Sequence, residues 1–461
     1  MQQLVITPEL LRRYDVSGPR YTSYPTADRF VEAFDEADYL QALTQRTVGA
    51  IAANPLSIYV HIPFCESLCY YCGCNKIVTK HHERALPYLE GLLKEMALVA
   101  KQLDSRQRVS QIHFGGGSPT FLSDEELSQV MSKLREHFEF MDSLECTIEV
   151  DPRTVSRERL QNLWDMGFNR LSLGIQDFDH QVQQAIHRVQ STESVFALMQ
   201  AARDIGFTSI SVDLIYGLPK QTQASFNETL DQIAVLRPDR IAVYGYAHLP
   251  SRFKPQRRIH NEDLPDGATR LNLMSESISR LQKAGYEYIG MDHFALPEDS
   301  LSVAKRHGRM HRNFQGYSTH ADCDLIGLGI SAISKVGAVY SQNAKELEDY
   351  MDQVEQGHLP VMRGYALDRD DLVRRAVISA IMCQGVIIYE SIELAYLVDF
   401  KSYFAKELTQ LQPFVEQGLM EFDENGFRVK SLGWYFVRAL AMTFDKYLQA
   451  DLTRERFSRI I

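Results

Sequence analysis

Short apolar segments rich in β-branched residues alternate with stretches of helical periodicity through the first half of the chain. This alternation is typical of βα units around a parallel sheet. Six strands are predicted, at 56–64, 109–116, 144–152, 170–178, 209–217 and 240–248. Because repeated βα units close into a full or partial barrel, we predict an α/β fold with a partial (β/α)6, TIM-like barrel.

Two regions flank the predicted barrel. The first 54 residues are polar and turn-rich, and Pro19 and Pro25 in SGPRYTSYPTA favour extended backbone over helix. After the barrel, strand-like YEYIGMDHF and CDLIGLGISAIS precede a mainly helical region that runs to FSRII. We therefore predict three parts: an N-terminal arm over the barrel mouth (1–54), a catalytic domain (55–365, with its core at about 55–250) and a helical C-terminal domain (366–461).

Composition and charge narrow the function. The chain has 461 residues with 45% hydrophobic residues and a net charge of -11, which disfavours broad nucleic-acid binding. The sequence has neither a secretion signal nor an apolar run of the roughly 18 residues that a membrane span requires. We expect a cytoplasmic enzyme without a nucleic-acid partner and without a membrane span.

The cysteines carry the strongest chemical signal. Cys65, Cys69 and Cys72 form a CxxxCxxC pattern directly after the first predicted strand. Three thiolates on a 4Fe-4S cluster leave one iron open to another ligand. A zinc site is the weaker alternative, because zinc ribbons need two separated ligand pairs. Three scattered cysteines are predicted to be buried packing residues: Cys146, Cys323 and Cys383.

Polar groups follow or interrupt the other strands. The glycines at 115–117, before Ser118, allow a ligand to approach the backbone closely, although a tight βα connection is the alternative. Glu149 and Asp213 lie in apolar strands, where an ionised carboxylate needs a partner. That partner is either a cationic ligand or a lysine or arginine of the barrel interior.

The pattern HIPFCESLCYYCGC resembles the radical S-adenosylmethionine superfamily. Within it, the chain resembles the oxygen-independent coproporphyrinogen III oxidases over essentially its whole length. The matching segments are SGPRYTSYPTA, YVHIPFC, CGCNKIVT, EVDPR, FNRLSLGIQDF, GFTS, DLIYGLPKQT, YAHLP, GMDHFA, HRNFQGY and FSRII. Cys74 and Arg20 favour the oxidases over related haem-carrying chaperones. Those chaperones generally have phenylalanine in place of Cys74 and lack the long N-terminal arm.

The resemblance implies the cofactors and their ligands. Cys65, Cys69 and Cys72 would hold the cluster, with Cys74 beside it in a tuning or packing role. The open iron would bind the methionyl amine and carboxylate of S-adenosylmethionine, whose cleavage gives a 5'-deoxyadenosyl radical. Tyr59 and Glu149 are the implied catalytic residues. The family binds two S-adenosylmethionine molecules. The positions that bind the first correspond here to Tyr59, Gly116, Glu149 and Ile333. Those that bind the second correspond to Gly117, Ser118, Gln176, Arg188, Asp213 and Ala247.

The resemblance also implies the reaction, the oxidative decarboxylation of two propionates of coproporphyrinogen III. An electron donor and an electron acceptor, both unidentified, would be needed, and we expect a monomer. Possible substrate contacts, whose alternative is solvated surface, are Arg20, Tyr21, Tyr24, His248, His311, Arg312 and Asn313.

Two departures from the family pattern concern contacts rather than chemistry. Ser118 replaces a usual threonine but keeps the hydroxyl, whereas Gly245 replaces an asparagine of a close relative and leaves one side-chain contact in doubt. The alternatives to the oxidase are a haem-binding chaperone and a radical enzyme with another substrate.

Overall fold

The structure is a computed structural model that describes residues 8–14, 16, 18–46, 54–103, 106–320 and 323–450. Ser17 of the arm motif and the C-terminal FSRII lie outside the described residues. The chain divides into two compact units. We call Phe30–Pro265 with Asp322–Ala366 the barrel unit, and Met1–Arg29, Asp266–Ala321 and Leu367–Ile461 the second unit. The units divide the chain differently from the three predicted parts, which stay a prediction.

The barrel unit is built on a sheet whose central six strands run parallel in chain order. They are Leu56–Ile62, Arg108–Gly116, Glu139–Val150, Arg170–Gln176, Ser209–Tyr216 and Arg240–Gly245. Asp324–Leu328 pairs parallel with the first strand, and the sheet continues from it through antiparallel Ile333–Val336, Val339–Asn343 and Val361–Ala366. The predicted α/β fold with a partial six-stranded barrel is confirmed.

Alternation along the parallel strands separates an apolar face from a polar one. Ile58, Val60 and Ile62 of the first strand are fully buried, and Tyr59 between them is half-buried. The same period places Glu149 and Asp213 on the polar face of their strands. The side chains of the apolar face form the core, and the polar face carries the candidate functional side chains.

Helices follow the strands of the barrel unit and begin at well-defined caps. Ser123 caps Asp124–His137 by accepting from the Glu126 N–H, while the Glu126 carboxylate accepts from the Ser123 N–H. The main helices of this unit are Glu36–Gln45, Ala85–Lys101, Asp124–His137, Arg157–Met166, His180–Ala185, Thr192–Ile205, Gln223–Leu236 and Leu347–Glu355.

The first 54 residues contain more helix than their composition predicts. Pro8–Tyr14 and Glu36–Gln45 are helical, so this polar region also contains helix on either side of the stretch with Pro19 and Pro25. The reason for the second helix is local: Asp35 and Asp38 form a capping box, and Tyr39 and Leu43, one turn apart, are buried. The stretch around Pro19 and Pro25 is not helical.

The second unit combines helices with short antiparallel strands. Its longest helices are Gly267–Lys283 and Arg369–Gln384. The shorter helices are Pro8–Tyr14, Ser300–Arg306, Tyr389–Tyr396, Phe400–Tyr403, Ala405–Gln410, Gln412–Glu416, Val437–Met442 and Lys446–Ala450. The strands are Glu287–Gly290, His293–Ala295, His311–Asn313, Gly316–Ser318, Val386–Ile388, Met420–Phe422 and Gly426–Val429. The part after residue 366 is thus mainly helical with one small sheet.

A search for membrane-spanning helices gives none: within the described ranges, every helix is too short or too polar to cross a bilayer.

Candidate active site

The three cysteines of the CxxxCxxC pattern line one cavity of about 790 Å³ in the barrel unit. Cys65 ends a two-residue strand, Phe64–Cys65, that pairs with Ile77–Val78, so the two ends of the cysteine loop are tied together. The Cys72 N–H donates to the Cys69 carbonyl at 3.3 Å. The volume is that of a small-molecule site.

The glycine turn after the second strand lies against the strand that leads to the cysteines. The Gly117 N–H donates to the Ile62 carbonyl and the Ser118 N–H to the Phe64 carbonyl, both at 2.8 Å. A Cβ on Gly117 would lie 2.7 Å from the backbone of Pro63, so a side chain does not fit there. Gly116 has a φ of +118°, which disfavours other residues. Both glycines and Ser118 line the cavity.

A chain of aromatic and acidic side chains crosses the first three strands. Tyr59 Oη lies 3.0 Å from His61 Nδ1, and His61 Nε2 lies 3.1 Å from the Asn75 carbonyl oxygen. Since that carbonyl can only accept, Nε2 of His61 carries the proton and the Tyr59 hydroxyl donates to Nδ1. The Tyr59 ring stacks on His113, with centroids 5.9 Å apart. His113 Nε2 in turn lies 3.1 Å from Glu149 Oε1.

Glu149 and Asp213, two of the carboxylates that line the cavity, differ in their protonation. Burial by itself would raise the pKa of Glu149, but hydrogen bonds from His113 and from the Gly116 N–H, at 3.2 Å, hold it below its usual range. Burial, followed by the charge of Glu149, raises the pKa of Asp213 to about 7. Near neutral pH Glu149 is therefore ionised, whereas Asp213 is close to its titration point. We call Tyr59, His61, His113, Glu149 and Asp213 the Glu149 group.

A second group of charges surrounds Cys69. Arg188 Nη1 lies 3.6 Å from Cys69 Sγ and Arg153 Nη2 lies 3.9 Å from it. Both guanidinium groups also contact the Asp151 carboxylate, at 3.2 and 2.6 Å. We call Cys69, Asp151, Arg153 and Arg188 the Cys69 group. It contains two cations and one carboxylate beside a candidate cluster ligand.

Arg188 and Gln176 meet at the end of the fourth strand. Arg188 Nη2 donates to the Gly174 carbonyl at 2.7 Å, and Gln176 has a left-handed φ of 70°. In the part of the chain that the structure describes, the buried Nε of Arg188 has no hydrogen-bond partner. A carboxylate of a bound ligand could satisfy this donor.

The predicted site residues divide into those that line the cavity and those that do not. The cavity is lined by Cys65, Cys69, Cys72, Gly116, Gly117, Ser118, Glu149, Gln176, Arg188 and Asp213. Tyr59 reaches Glu149 only through His113. Ala247 follows the sixth strand, where its carbonyl accepts from Gln256, and Ile333 begins an antiparallel strand of the same sheet. His248, after the sixth strand, lies 2.9 Å from the Tyr246 hydroxyl.

Most predicted substrate contacts belong to the second unit. Arg20 pairs with Asp292, and Arg312 Nε donates to the Arg20 carbonyl at 3.1 Å. The Tyr21 hydroxyl donates to Asp445 at 3.0 Å. The Tyr24 hydroxyl accepts from the Lys446 N–H, while His311 and Asn313 begin and end one short strand.

The remaining cysteines have different surroundings. Cys74 is exposed, and its thiol is hydrogen-bonded to Cys72, which lowers the pKa of Cys72. Cys146 and Cys383 are buried as predicted. The prediction is wrong for Cys323, which is only half-buried: it precedes the strand Asp324–Leu328, and its sulfur lies 3.2 Å from the Ser110 hydroxyl oxygen.

Four residues that support the site are not predicted from the sequence. His61 and His113 lie within predicted strands, and Asp151 and Arg153 lie in the EVDPR segment. The available signal was position: Asp151 and Arg153 directly follow the strand that carries Glu149, where barrel chemistry is expected.

The residues present fit an iron-sulfur cluster with S-adenosylmethionine. Thiols, carboxylates and an unsatisfied guanidinium line one cavity next to a glycine turn that a Cβ would obstruct. Among the described residues, no three His, Cys, Asp or Glu side chains lie close enough to hold a single metal ion. An iron-sulfur cluster does not require its ligands to converge on one ion, because each thiolate binds its own iron.

Comparison with known proteins gives the family. The Radical SAM superfamily profile matches residues 59–233, and the HemN C-terminal domain profile matches residues 367–436. The chain is 49% identical to the oxygen-independent coproporphyrinogen III oxidase of Pseudomonas aeruginosa, covering 98% of each chain. It is 48% identical to that of Escherichia coli (strain K12), covering 100% of each.

A solved structure agrees with this relationship. The coproporphyrinogen III oxidase (HemN) from Escherichia coli, described as a radical SAM enzyme, superposes with a TM-score of 0.91 at 47% identity, covering 97% of this chain and 100% of that one. The resemblance inferred from the sequence is confirmed, and the chain belongs to the family of oxygen-independent coproporphyrinogen III oxidases within the radical SAM superfamily.

Proposed function

We propose that this chain is an oxygen-independent coproporphyrinogen III oxidase of haem biosynthesis. It converts the propionates on rings A and B of coproporphyrinogen III into the vinyl groups of protoporphyrinogen IX. Each propionate loses a hydrogen from its β-carbon and its carboxyl group as carbon dioxide, and the remaining electron passes to an acceptor. The observation that carries the proposal is the single cavity lined by Cys65, Cys69 and Cys72 together with Glu149 and Asp213.

The cofactors are one 4Fe-4S cluster and S-adenosylmethionine. Cys65, Cys69 and Cys72 would hold three irons as thiolates and leave the fourth open. When bound, the reduced cluster supplies the electron that cleaves S-adenosylmethionine to a 5'-deoxyadenosyl radical, and the protein supplies binding and orientation. Glu149 stays ionised, because His113 and the Gly116 N–H stabilise its charge, and can bind the ammonium or sulfonium of the cofactor.

The residues for two S-adenosylmethionine molecules have unequal support. For the first molecule, Gly116 and Glu149 line the cavity. For the second, Gly117, Ser118, Gln176, Arg188 and Asp213 line it. The roles of Tyr59, Ala247 and Ile333 rest on the family resemblance. We assign Tyr59 to orienting Glu149 through the stacked His113, which leaves the carboxylate as the group that contacts the cofactor.

Further parts of the proposal concern partners and surroundings. The substrate carries four propionates, so cationic or hydrogen-bond-donating side chains must receive it, and Arg20, Tyr21, His248, His311 and Arg312 are our candidates. The proposal requires an electron donor for the cluster and an electron acceptor. It places the protein in the cytoplasm as a monomer.

An anaerobic assay tests the proposed function. The cluster is reconstituted, and dithionite, S-adenosylmethionine, coproporphyrinogen III and a crude extract as electron acceptor are added. Protoporphyrin fluorescence and 5'-deoxyadenosine are then measured for the wild type, Cys69→Ser and the buried control Cys383→Ser. Protoporphyrin formation with the wild type and Cys383→Ser alone supports the proposal.

Two other results would redirect it. If 5'-deoxyadenosine forms without decarboxylation, the chain is a radical enzyme with another substrate. If haem binds stoichiometrically and neither product forms despite a full cluster, a chaperone function replaces the oxidase.

A further inference from the structure

Three arginines from distant parts of the sequence meet in the second unit around the backbone of residues 18–20. Arg438 donates through Nε to the Pro19 carbonyl at 2.7 Å and through Nη2 to the Gly18 carbonyl. Arg312 donates through Nε to the carbonyl of Arg20, whose own guanidinium pairs with Asp292. The three side chains thus form one cluster, which we call the arginine cluster.

Counted over the described residues, the arginine cluster has three guanidinium groups and one carboxylate, that of Asp292. Arg438 and Arg312 are only 4% and 7% exposed. Burial, followed by the charge of Arg20, lowers the pKa of Arg438 to about 9, although Asp292 acts in the opposite direction. Asp445, a further carboxylate of this unit, is instead held by the Tyr21 hydroxyl at 3.0 Å and by the N–H groups of Tyr447 and Leu448. Buried cations that outnumber the carboxylates around them are stabilised by an added anion.

One hydrogen-bond donor of the arginine cluster indicates that an anion binds there. Within the described part of the chain, Nη1 of Arg312 is buried and has no hydrogen-bond partner. The guanidinium of Arg312 lies over the Tyr317 ring, with its Cζ 4.6 Å from the ring centroid. This contact fixes the plane of the guanidinium group. A buried donor without a partner costs stability unless a ligand satisfies it.

We propose that Arg20, Arg312 and Arg438 form a binding site for a carboxylate, and that the ligand is a propionate of the porphyrinogen substrate. The guanidinium fork matches a carboxylate in shape and charge. S-adenosylmethionine also carries a carboxylate, but its ammonium and sulfonium would be repelled by the excess positive charge, whereas a propionate has no cation attached. This inference rests on the proposed function for its ligand and adds Arg438 and Asp292 to the substrate-binding residues.

Binding of coproporphyrin III to the full-length chain tests the inference without the cluster chemistry. This porphyrin is the stable oxidised form of the substrate and has the same four propionates. Its fluorescence is titrated with wild type, Arg312→Gln, Arg20→Gln and the exposed control Arg309→Gln, after thermal melts establish that each variant is folded. Arg20→Gln covers the case in which the buried Arg312→Gln fails to fold, because the Arg20 side chain is 33% exposed.

We expect Arg312→Gln and Arg20→Gln to weaken coproporphyrin binding by about tenfold or more, as loss of a charge-assisted hydrogen bond predicts. Arg309→Gln should bind like the wild type. The tetramethyl ester of coproporphyrin, which has no carboxylates, should not discriminate between the variants.

Unchanged affinity in folded Arg20→Gln overturns the proposal, as does loss of S-adenosylmethionine binding in place of porphyrin binding. Turnover by the wild type is measured separately. If the wild type makes protoporphyrin but the variants bind the porphyrin normally, the inference fails and the function stands. If the variants lose porphyrin binding but the wild type makes no protoporphyrin, the carboxylate site stands and the function fails.

Discussion

The Cys69 group lines the cavity together with Glu149 and Asp213 of the Glu149 group, and the two groups stabilise opposite charges. Arg153 and Arg188 direct guanidinium nitrogens at the Cys69 sulfur, with Asp151 between them. Glu149 instead accepts from His113 and a backbone N–H and keeps its negative charge. A cation-rich group favours thiolates and the cluster, and an anionic group favours a cationic cofactor. The Cys69 group therefore suits the thiolate ligands of a cluster, and Glu149 suits a cationic cofactor.

Loss of a cluster ligand should have the largest effect. Cys69→Ser removes one of three thiolates, so we expect the bound iron to fall by roughly half or more and S-adenosylmethionine cleavage to reach background. Iron analysis and 5'-deoxyadenosine measurement check this. Cys74→Ser is the matched control in the same loop and should keep its iron, because Cys74 is not among the three proposed ligands. Full iron in Cys69→Ser would remove the Cys69 group from the cluster site.

Neutralising Glu149 should weaken the binding of S-adenosylmethionine and leave the binding of the cluster unchanged. For Glu149→Gln we expect S-adenosylmethionine to bind about 10- to 100-fold more weakly, since a charge-assisted hydrogen bond contributes roughly 1.5–3 kcal/mol. Equilibrium dialysis on the reconstituted protein measures this affinity. Glu139→Gln, at the exposed start of the same strand, should behave like the wild type. Equal affinities in the two variants would contradict the assignment.

The pKa of Asp213 makes the affinity for S-adenosylmethionine depend on pH. With a pKa of about 7, this carboxyl loses its charge as the pH falls, and the attraction for a cation is lost with it. Between pH 7.5 and 6 we expect the affinity to fall by up to about tenfold. Asp213→Asn should show a flatter profile over the same range. Parallel profiles for the two proteins would show that Asp213 does not contact the cofactor.

The smallest expected effect concerns the cluster potential. Arg153→Gln removes a cation and an N–H donor next to Cys69, so the cluster should be harder to reduce. We expect a shift of the midpoint potential to more negative values on the order of 50 mV, or roughly 1 kcal/mol. Potentiometric titration followed by EPR measures it. Arg157→Gln, whose exposed side chain pairs with Asp204, is the control, and an equal potential in both variants would separate Arg153 from the cluster.

Much of the barrel could be predicted from the sequence because its strands are short segments rich in β-branched residues that alternate with stretches of helical periodicity. Five of the six strands begin within one residue of the predicted positions. The third begins at Glu139, five residues before the prediction, since none of its first five residues, EFMDS, is buried. The helix Glu36–Gln45 was missed because its capping box and two buried residues are a weak signal in a polar region.

The site was predictable where chemistry and spacing coincide, and unpredictable where the fold brings distant residues together. The CxxxCxxC pattern identifies its three cysteines by itself. The stacking of Tyr59 on His113 depends on the register of neighbouring strands, in which the two residues are paired. The arginine cluster joins residues more than 100 positions apart, and no sequence period links them.

EPR of the reduced, fully reconstituted wild type, recorded before and after addition of S-adenosylmethionine, tests the central claim most directly. If Cys65, Cys69 and Cys72 leave one iron open beside Glu149, the signal of the cluster should change on addition of the cofactor. Glu149→Gln should then need more cofactor for the same change. An unchanged spectrum at full iron content and saturating S-adenosylmethionine would contradict the account.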